Sequence, residues 1–411
     1  MTQQRFGVVL FDDAASKRRT GATRAATDGF ASIEGGRARR IKTVTELESD
    51  VKWLTNFEFL DFNSNSLGRH PNLYSSGFLR SDVKGLCDEF GLGPDQMAVD
   101  RAAELLSGLF MRTMRIATQT LKLDLEAEMP KGITKTLAEY IGLRYPVTGR
   151  ISQDLNEAME RGYQKWHAVM SRPRKDWRSI SLRRPRYTHA LDVLSTPVPS
   201  NNRWVYLQSA RLPAGSRDRI DWILGSEDMP MLANVIIKGR RGGLAELISF
   251  SSGAATERSW VSQPELLLLS EYCEIEVTGA FVCEDGFQHQ KELDAFPSQG
   301  DFSLASASLG LVVENFWASL ANPRVNRMGK KVFLPRAIWY RAMDRVLSFT
   351  KAAALKKDGF DIFGYGWGNV IAYYPTGATA DVIEAATEHG LDVPVSKYRE
   401  YQTEVRLDAD E

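Results

Sequence analysis

Cysteine and histidine are scarce in this chain. Its three cysteines, Cys87, Cys273 and Cys283, show no metal-ligand spacing, which excludes a disulfide framework and fits a reducing compartment. The five histidines, His70, His167, His189, His289 and His389, do not cluster, so each reads as a surface or satisfied core residue rather than a ligand. Net charge is missing as well. With 52 Lys and Arg against 52 Asp and Glu, overall charge says nothing of partners. No apolar run approaches the length of a bilayer, residues 266–269 being typical, and the apolar run near the N-terminus is too short for a signal peptide. There is no internal repeat, no low-complexity segment, no P-loop lysine beside the Gly-Tyr-Gly-Trp-Gly run and no serine nucleophile elbow. The expectation is a globular, cytoplasmic protein without a membrane partner. Its 411 residues, 43% hydrophobic and 25% charged, suffice for two or three domains.

Charge that is balanced overall is concentrated locally. Residues 172–186 carry Arg172, Arg174, Lys175, Arg178, Arg183, Arg184 and Arg186 against the single acid Asp176, with Trp177 among them and Tyr187 directly after. Guanidinium groups pair with phosphates and aromatic rings stack on bases, so this run suits a nucleic-acid backbone. A solvated charged face is the competing reading. Tyr187 to Leu194 then reads as a short buried strand bearing one carboxylate, Asp192, before a turn at Pro197 and Pro199. An acid at a strand end beside a phosphate-attracting surface is where a metal-dependent phosphoryl-transfer site would be built.

Periodicity and breakers set out the rest. Strands are expected at 6–11, 29–34 and 39–44, a helix at 46–54 opened by a Thr45–Glu48 capping box, and a strand at 57–62. Helices follow at 82–90 and 100–122, and Pro130, Gly132, Gly142, Pro146 and Gly149 mark a boundary. Beyond it, Ser152 caps a helix running to about residue 170. Further strands are expected at 204–208, 233–238, 244–250, 259–262 and 274–283, with a basic tight turn at 239–243. Helices are expected at 264–271, 303–320, 333–357 and 379–389, and a hairpin over 360–374 turns at Gly366-Trp367-Gly368.

The order strand, hairpin, helix, strand at the start resembles a ribonuclease-H-like nuclease layer. The chain as a whole resembles family B DNA polymerases, most of all the compact protein-primed branch. Leu191 to Ser200, LDVLSTPVPS, looks like the first palm motif, with Asp192 in the metal-binding position. The segments LPAG (212–215), WVSQPELLLL (260–269) and EIEVTGAFV resemble elements between the palm motifs. GFDIFGYGWGNVIAYY has the shape of the last palm hairpin. The resemblance spans roughly residues 5–395 and implies an α/β (α+β) protein: a ribonuclease-H-like, exonuclease-type layer, then a palm-like antiparallel sheet with helices. It implies domains at 1–130 and 187–411, joined by a helical, basic region at 131–186.

Departures from that family bear on chemistry. Gly366, Trp367, Gly368 and Asn369 stand where the last hairpin should be acidic, and Asp361 lies on the strand before the tip. The first nuclease strand offers Asp12 and Asp13 but then Ala14, leaving Asp61 and Asp82 as substitutes for the missing acids. The expectation is therefore a DNA- or RNA-binding protein on a polymerase-like scaffold without template-directed synthesis. The resemblance places it in replication, maintenance or defence of a mobile element, with protein partners of a larger nucleoprotein complex. Binding would use Arg172, Arg174, Lys175, Trp177, Arg178, Arg183, Arg184, Arg186, the turn arginines Arg240 and Arg241, Trp367 at the hairpin tip, and the basic segment 17–24. Two alternatives stand beside this reading. One is a nuclease or polymerase using Asp12, Asp13, Asp61 and Asp192 with Mg²⁺ or Mn²⁺. The other is an assembly protein whose basic segments meet protein.

Overall fold

The computed structural model describes residues 5–11, 29–55, 70–75, 96–120, 151–163, 167–168, 175–200, 203–248, 258–288, 313–314, 316–326, 329–394, 397–398 and 401. The protein is α+β, and its chain divides into two compact units. The first comprises Met1–Tyr140, Ala295–Asn315 and Pro394–Arg399; the second comprises Ile141–Asp294, Phe316–Val393 and Glu400–Glu411.

In the first unit, β1 (Arg5–Phe11), β2 (Gly29–Ile33), β3 (Arg39–Ile41), β4 (Val51–Thr55) and β5 (Leu73–Ser75) form one sheet in the order β3-β2-β1-β4-β5. The β1–β2 and β2–β3 pairs are antiparallel, while β1–β4 and β4–β5 are parallel. Helix α1 (Gln96–Thr120) covers one face, packing Ala102, Ala103, Leu106 and Phe110 on Phe6, Val8, Leu10 and Leu54. Val9, Phe11, Val51 and Trp53 build a second cluster from the alternate positions of the same strands. Burial on both faces explains why residues 6–11 form an unbroken apolar run. The helix expected at 46–54 is absent. Thr43 and Glu46 form the capping box instead, on a three-residue 3-10 turn, and Val51–Thr55 is strand β4. Side chains of period two, with Trp53 lying so close to Gly7 that a Cβ there would sit 2.5 Å from its ring, decide the matter. Asp12, Asp13, Asp61, the segment 17–24 and the elements expected at 57–62 and 82–90 lie outside the described residues.

The second unit opens with α2 (Gln153–Gly162), capped by the Ser152 side chain as expected but ending at Gly162. It continues with β6 (His167–Ala168), β7 (Trp177–Arg183), α3 (Arg186–Leu194), β8 (Val198–Pro199), β9 (Trp204–Gln208), α4 (Ser216–Gly225), β10 (Met231–Arg240), β11 (Arg258–Ser262), α5 (Gln263–Tyr272) and β12 (Cys273–Cys283). Then come β13 (Phe287–Gln288), β14 (Arg324–Val325), β15 (Lys331–Val332), α6 (Pro335–Lys357), β16 (Asp361–Gly366), β17 (Asn369–Pro375) and α7 (Thr379–Glu388). Two antiparallel four-stranded sheets result, β11-β10-β12-β9 and β6-β16-β17-β7; β8 pairs with β13, and β14 with β15. One apolar core joins them: Val235, Val261, Val277 and Leu266 from the first sheet and α5 meet Ile180, Leu182, Tyr365, Ala372 and Phe349 from the second and α6.

Two expectations fail here. Tyr187 to Leu194 is helical, because Tyr187, Ala190, Val193 and Leu194 bury one face at helical spacing. Residues 243–247 are a 3-10 helix rather than part of a strand, entered through Gly242 at φ 74°. Among the described residues, no helix is long and apolar enough to cross a membrane.

Candidate functional site

The β16–β17 hairpin closes through Trp367 and Gly368, flanked by the paired residues Gly366 and Asn369. Both loop residues have positive φ, 54° at Trp367 and 66° at Gly368, which is the two-residue turn that matches the twist of its strands. Gly tolerates that conformation freely; Trp does not. The turn is held from behind by Asp344 of α6. Its carboxylate accepts the Trp367 N–H at 2.8 Å through Oδ2 and the Gly368 N–H at 2.8 Å through Oδ1. Asp344 itself has no solvent exposure.

A chain of polar groups leads away from this aspartate. His189 of α3 meets Asp344 Oδ1 through Nε2 at 2.9 Å, and its Nδ1 lies 2.9 Å from the Arg184 guanidinium. Arginine can only donate, so Nδ1 accepts and the ring proton sits on Nε2, directed at Asp344. Arg184 also donates to Asp192 at 2.6 Å. On the other side, Arg341 lies 3.8 Å from Asp344 Oδ2. Its guanidinium covers the Trp367 ring at 3.5 Å from the centroid, and the Trp317 ring stands 5.1 Å from that of Trp367. Burial pushes the Asp344 carboxyl up, but the hydrogen bond from His189, the Arg341 charge and the Trp367 N–H outweigh it. The group is held below the usual carboxylate range.

The strand beside the hairpin is β7, paired with β17 from Asn369↔Arg183 to Pro375↔Trp177. Asp192, expected on a strand, lies on helix α3 instead, and β7 supplies no carboxylate. In the sheet β6-β16-β17-β7 the one acid is Asp361, at the far end of β16, where Lys356 holds it at 3.0 Å. It stands five positions before Gly366, about 16 Å along a strand. Among the described residues, no group of three or more His, Cys, Asp or Glu side chains is placed to hold a metal ion. At the hairpin, Asp192 is engaged by Arg184 through Oδ2, and both oxygens of Asp344 are engaged by N–H donors.

The basic run divides in two. Arg184 is buried at 9% exposure and works inside the network. Arg183 and Arg186 lie close enough to Asp392 for their charges to oppose the upward push of burial on its carboxyl. Arg240 donates to the carbonyls of Ala245 and Ile248 at 3.1 and 2.8 Å, so it braces a turn, while Arg241 is exposed. Arg172 and Arg174 lie outside the described residues. On β7, Ile180 and Leu182 enter the core, which turns Trp177, Ser179, Ser181 and Arg183 to the opposite face. Lys175, just before the strand, is exposed. Phe363 and Tyr373 stand edge to face on the neighbouring strands at 5.7 Å. Trp367, expected to be a stacking platform for a base, already carries Arg341 on one side of its ring.

Two residues that the sequence does not single out, Asp344 and Arg341, carry the network with His189. Beside them is the buried pair Arg345–Glu265, bidentate at 2.8 and 2.6 Å. The available signal was in α6, where Arg341 and Arg345 occupy positions of the apolar stripe formed by Ile338, Phe349 and Ala352.

No family model matches the sequence, and no curated protein matches it. Solved structures of phi29 DNA polymerase are similar at 10% identity, over 90% of this chain and 80% of theirs. The TM-score is 0.46 for the complex with single-stranded DNA, 0.44 for the orthorhombic crystal form and 0.43 for the ternary complex with primer-template DNA and incoming nucleotide. These are distant likenesses to a family B DNA polymerase.

Proposed function

We propose that the protein binds single-stranded nucleic acid across the face of sheet β6-β16-β17-β7 that carries Trp177 and Arg183, without adding nucleotides to it. The observation that carries this reading is the alternation along β7. Ring, hydroxyl, hydroxyl and guanidinium at Trp177, Ser179, Ser181 and Arg183 share one face, with Lys175 at its head. Stacking and phosphate pairing are the two interactions that single strands offer without regard to sequence. The context implied by the polymerase resemblance is replication, maintenance or defence of a mobile element, with further protein partners.

The test is a titration of DNA and RNA single strands and duplexes at several salt concentrations. A Lys175→Ala/Arg183→Ala protein should bind more weakly with a shallower salt dependence, the slope falling by about 0.7 for each phosphate left unpaired. Trp177→Ala should cost about 1–3 kcal/mol of affinity with the slope unchanged. A folded double variant that keeps the parent's slope removes this face from consideration.

A further inference from the structure

Away from the hairpin, the sheet β11-β10-β12-β9 presents three rings on one face: Tyr206 of β9, Phe281 of β12 and Trp260 of β11. Tyr206 and Phe281 are directly opposed, with centroids 5.0 Å apart, and Trp260 stands 5.3 Å from Phe281 and 6.3 Å from Tyr206. Interplanar angles of 38° to 56° make the three a curved wall rather than a flat stack. The Tyr206 ring lies over Gly279, where a Cβ would meet its hydroxyl at 2.5 Å, so the glycine is what lets the ring lie down. Tyr206 is nonetheless 41% exposed, a large ring left open to solvent.

Helix α2 supplies the opposite wall. Asp154, Glu157, Ala158 and Arg161 follow the i, i+3, i+4, i+7 spacing of one helix face and, with the rings, line a recess of about 240 Å³. Glu157 accepts a hydrogen bond from Gln153 at 3.0 Å; among the described residues, Asp154 and Arg161 form no ion pair. The recess thus sets two carboxylates against one guanidinium, beside three ring faces. That balance repels a phosphodiester and attracts a cation, and the electron-rich faces of Trp and Tyr attract cations directly.

We propose that this recess binds an organic cation, an alkylated ammonium or a guanidinium, with its charge between Asp154 and Glu157 and its apolar substituents on Tyr206, Trp260 and Phe281. The site is separate from the nucleic-acid face and does not rest on it. The same cationic group could arrive as a free small molecule or as a modified basic side chain of a protein partner.

Calorimetric titration of the full chain with choline, with its uncharged isostere 3,3-dimethylbutan-1-ol and with capped trimethyl-lysine amide separates the possibilities. Choline or the lysine amide should bind at least about tenfold more tightly than the isostere, since cation–π attraction and charge are lost together in the latter. Preference for choline identifies a free ligand and preference for the lysine amide a partner's side chain, and either result supports the site. Asp154→Asn/Glu157→Gln should lower the affinity for the cation and leave the isostere unaffected. Because Tyr206 is the most exposed of the three rings, Tyr206→Ala is the aromatic variant of choice, and it should weaken binding about tenfold with circular dichroism unchanged. Equal affinity for choline and its isostere, no binding of either cation to the folded parent, or binding indifferent to the two carboxylates would each overturn the proposal. None of these outcomes alters nucleic-acid binding through Lys175 and Arg183.

Discussion

At the scale of single residues, Asp344 is the group with most at stake. It is fully buried, and it satisfies two backbone N–H groups of a strained turn, the His189 ring and the charge of Arg341. Asp344→Asn keeps the volume but removes the charge opposite Arg341 and puts an NH₂ among donors. Leaving a buried cation without its counter-charge costs about 3–5 kcal/mol, which is the loss expected in urea unfolding at neutral pH. The pH dependence has a definite sign. The folded carboxyl titrates below its unfolded value, so its contribution is present in full above that value and fades as pH falls through the folded one. The gap between parent and variant should therefore hold at neutral pH and narrow below about pH 4, the ordinary aspartate value. A gap constant from neutral pH down to the acid transition would show that the side chain's shape matters and its charge does not.

At the scale of elements, the hairpin and α6 act as one device, because the helix lends its aspartate to a turn that the strands alone would hold poorly. Gly368 shows how tight the arrangement is. A Cβ there would lie 2.8 Å from the His189 ring, at a φ of 66° that side chains rarely adopt. Gly368→Ala should destabilise the fold by about 1–3 kcal/mol through backbone strain and displacement of His189. Gly377→Ala is the comparison, with a φ of 93° but nothing within 4 Å of the added methyl; equal losses for the two would leave no specific role for His189 packing. The hairpin, its turn and the helix before it were legible in the sequence, since Gly-Trp-Gly between apolar runs leaves few alternatives. The helix that holds Asp192 was not. A stretch as short as Tyr187 to Leu194 fits either period, and only its packing beside α6 selects the helix. Asp344 escaped notice for a related reason: one acid within a long charged helix looks solvated until the fold shows which face is inside.

At the scale of the whole molecule, a mixed five-stranded sheet in one unit and an antiparallel hairpin sheet in the other make the α+β protein that the sequence suggested. In-line transfer of a nucleotidyl group uses two cations about 4 Å apart, held by carboxylates that converge from neighbouring strands. Here the strand beside the hairpin carries Trp, Ser and Arg, and the turn carries Trp367 and Gly368. Of the acids of this network, Asp344 accepts N–H donors at both oxygens and Asp192 accepts the Arg184 guanidinium at Oδ2. Asp361 is tied to Lys356 at the other end of its strand. Gathering them would mean breaking the Arg184–Asp192 pair and uncovering a carboxylate that anchors the turn, at a cost of several kcal/mol for the buried charges alone. Purified protein given primer-template DNA, all four nucleotides and either Mg²⁺ or Mn²⁺ should therefore leave the primer at its starting length, while still retarding single strands in a gel. Asp192→Ala should leave that retardation in place, since Asp192 serves Arg184 rather than the nucleic acid. Extension by the parent that vanishes in Asp192→Ala would mean that the Arg184 pair opens on substrate and that the protein is an enzyme after all.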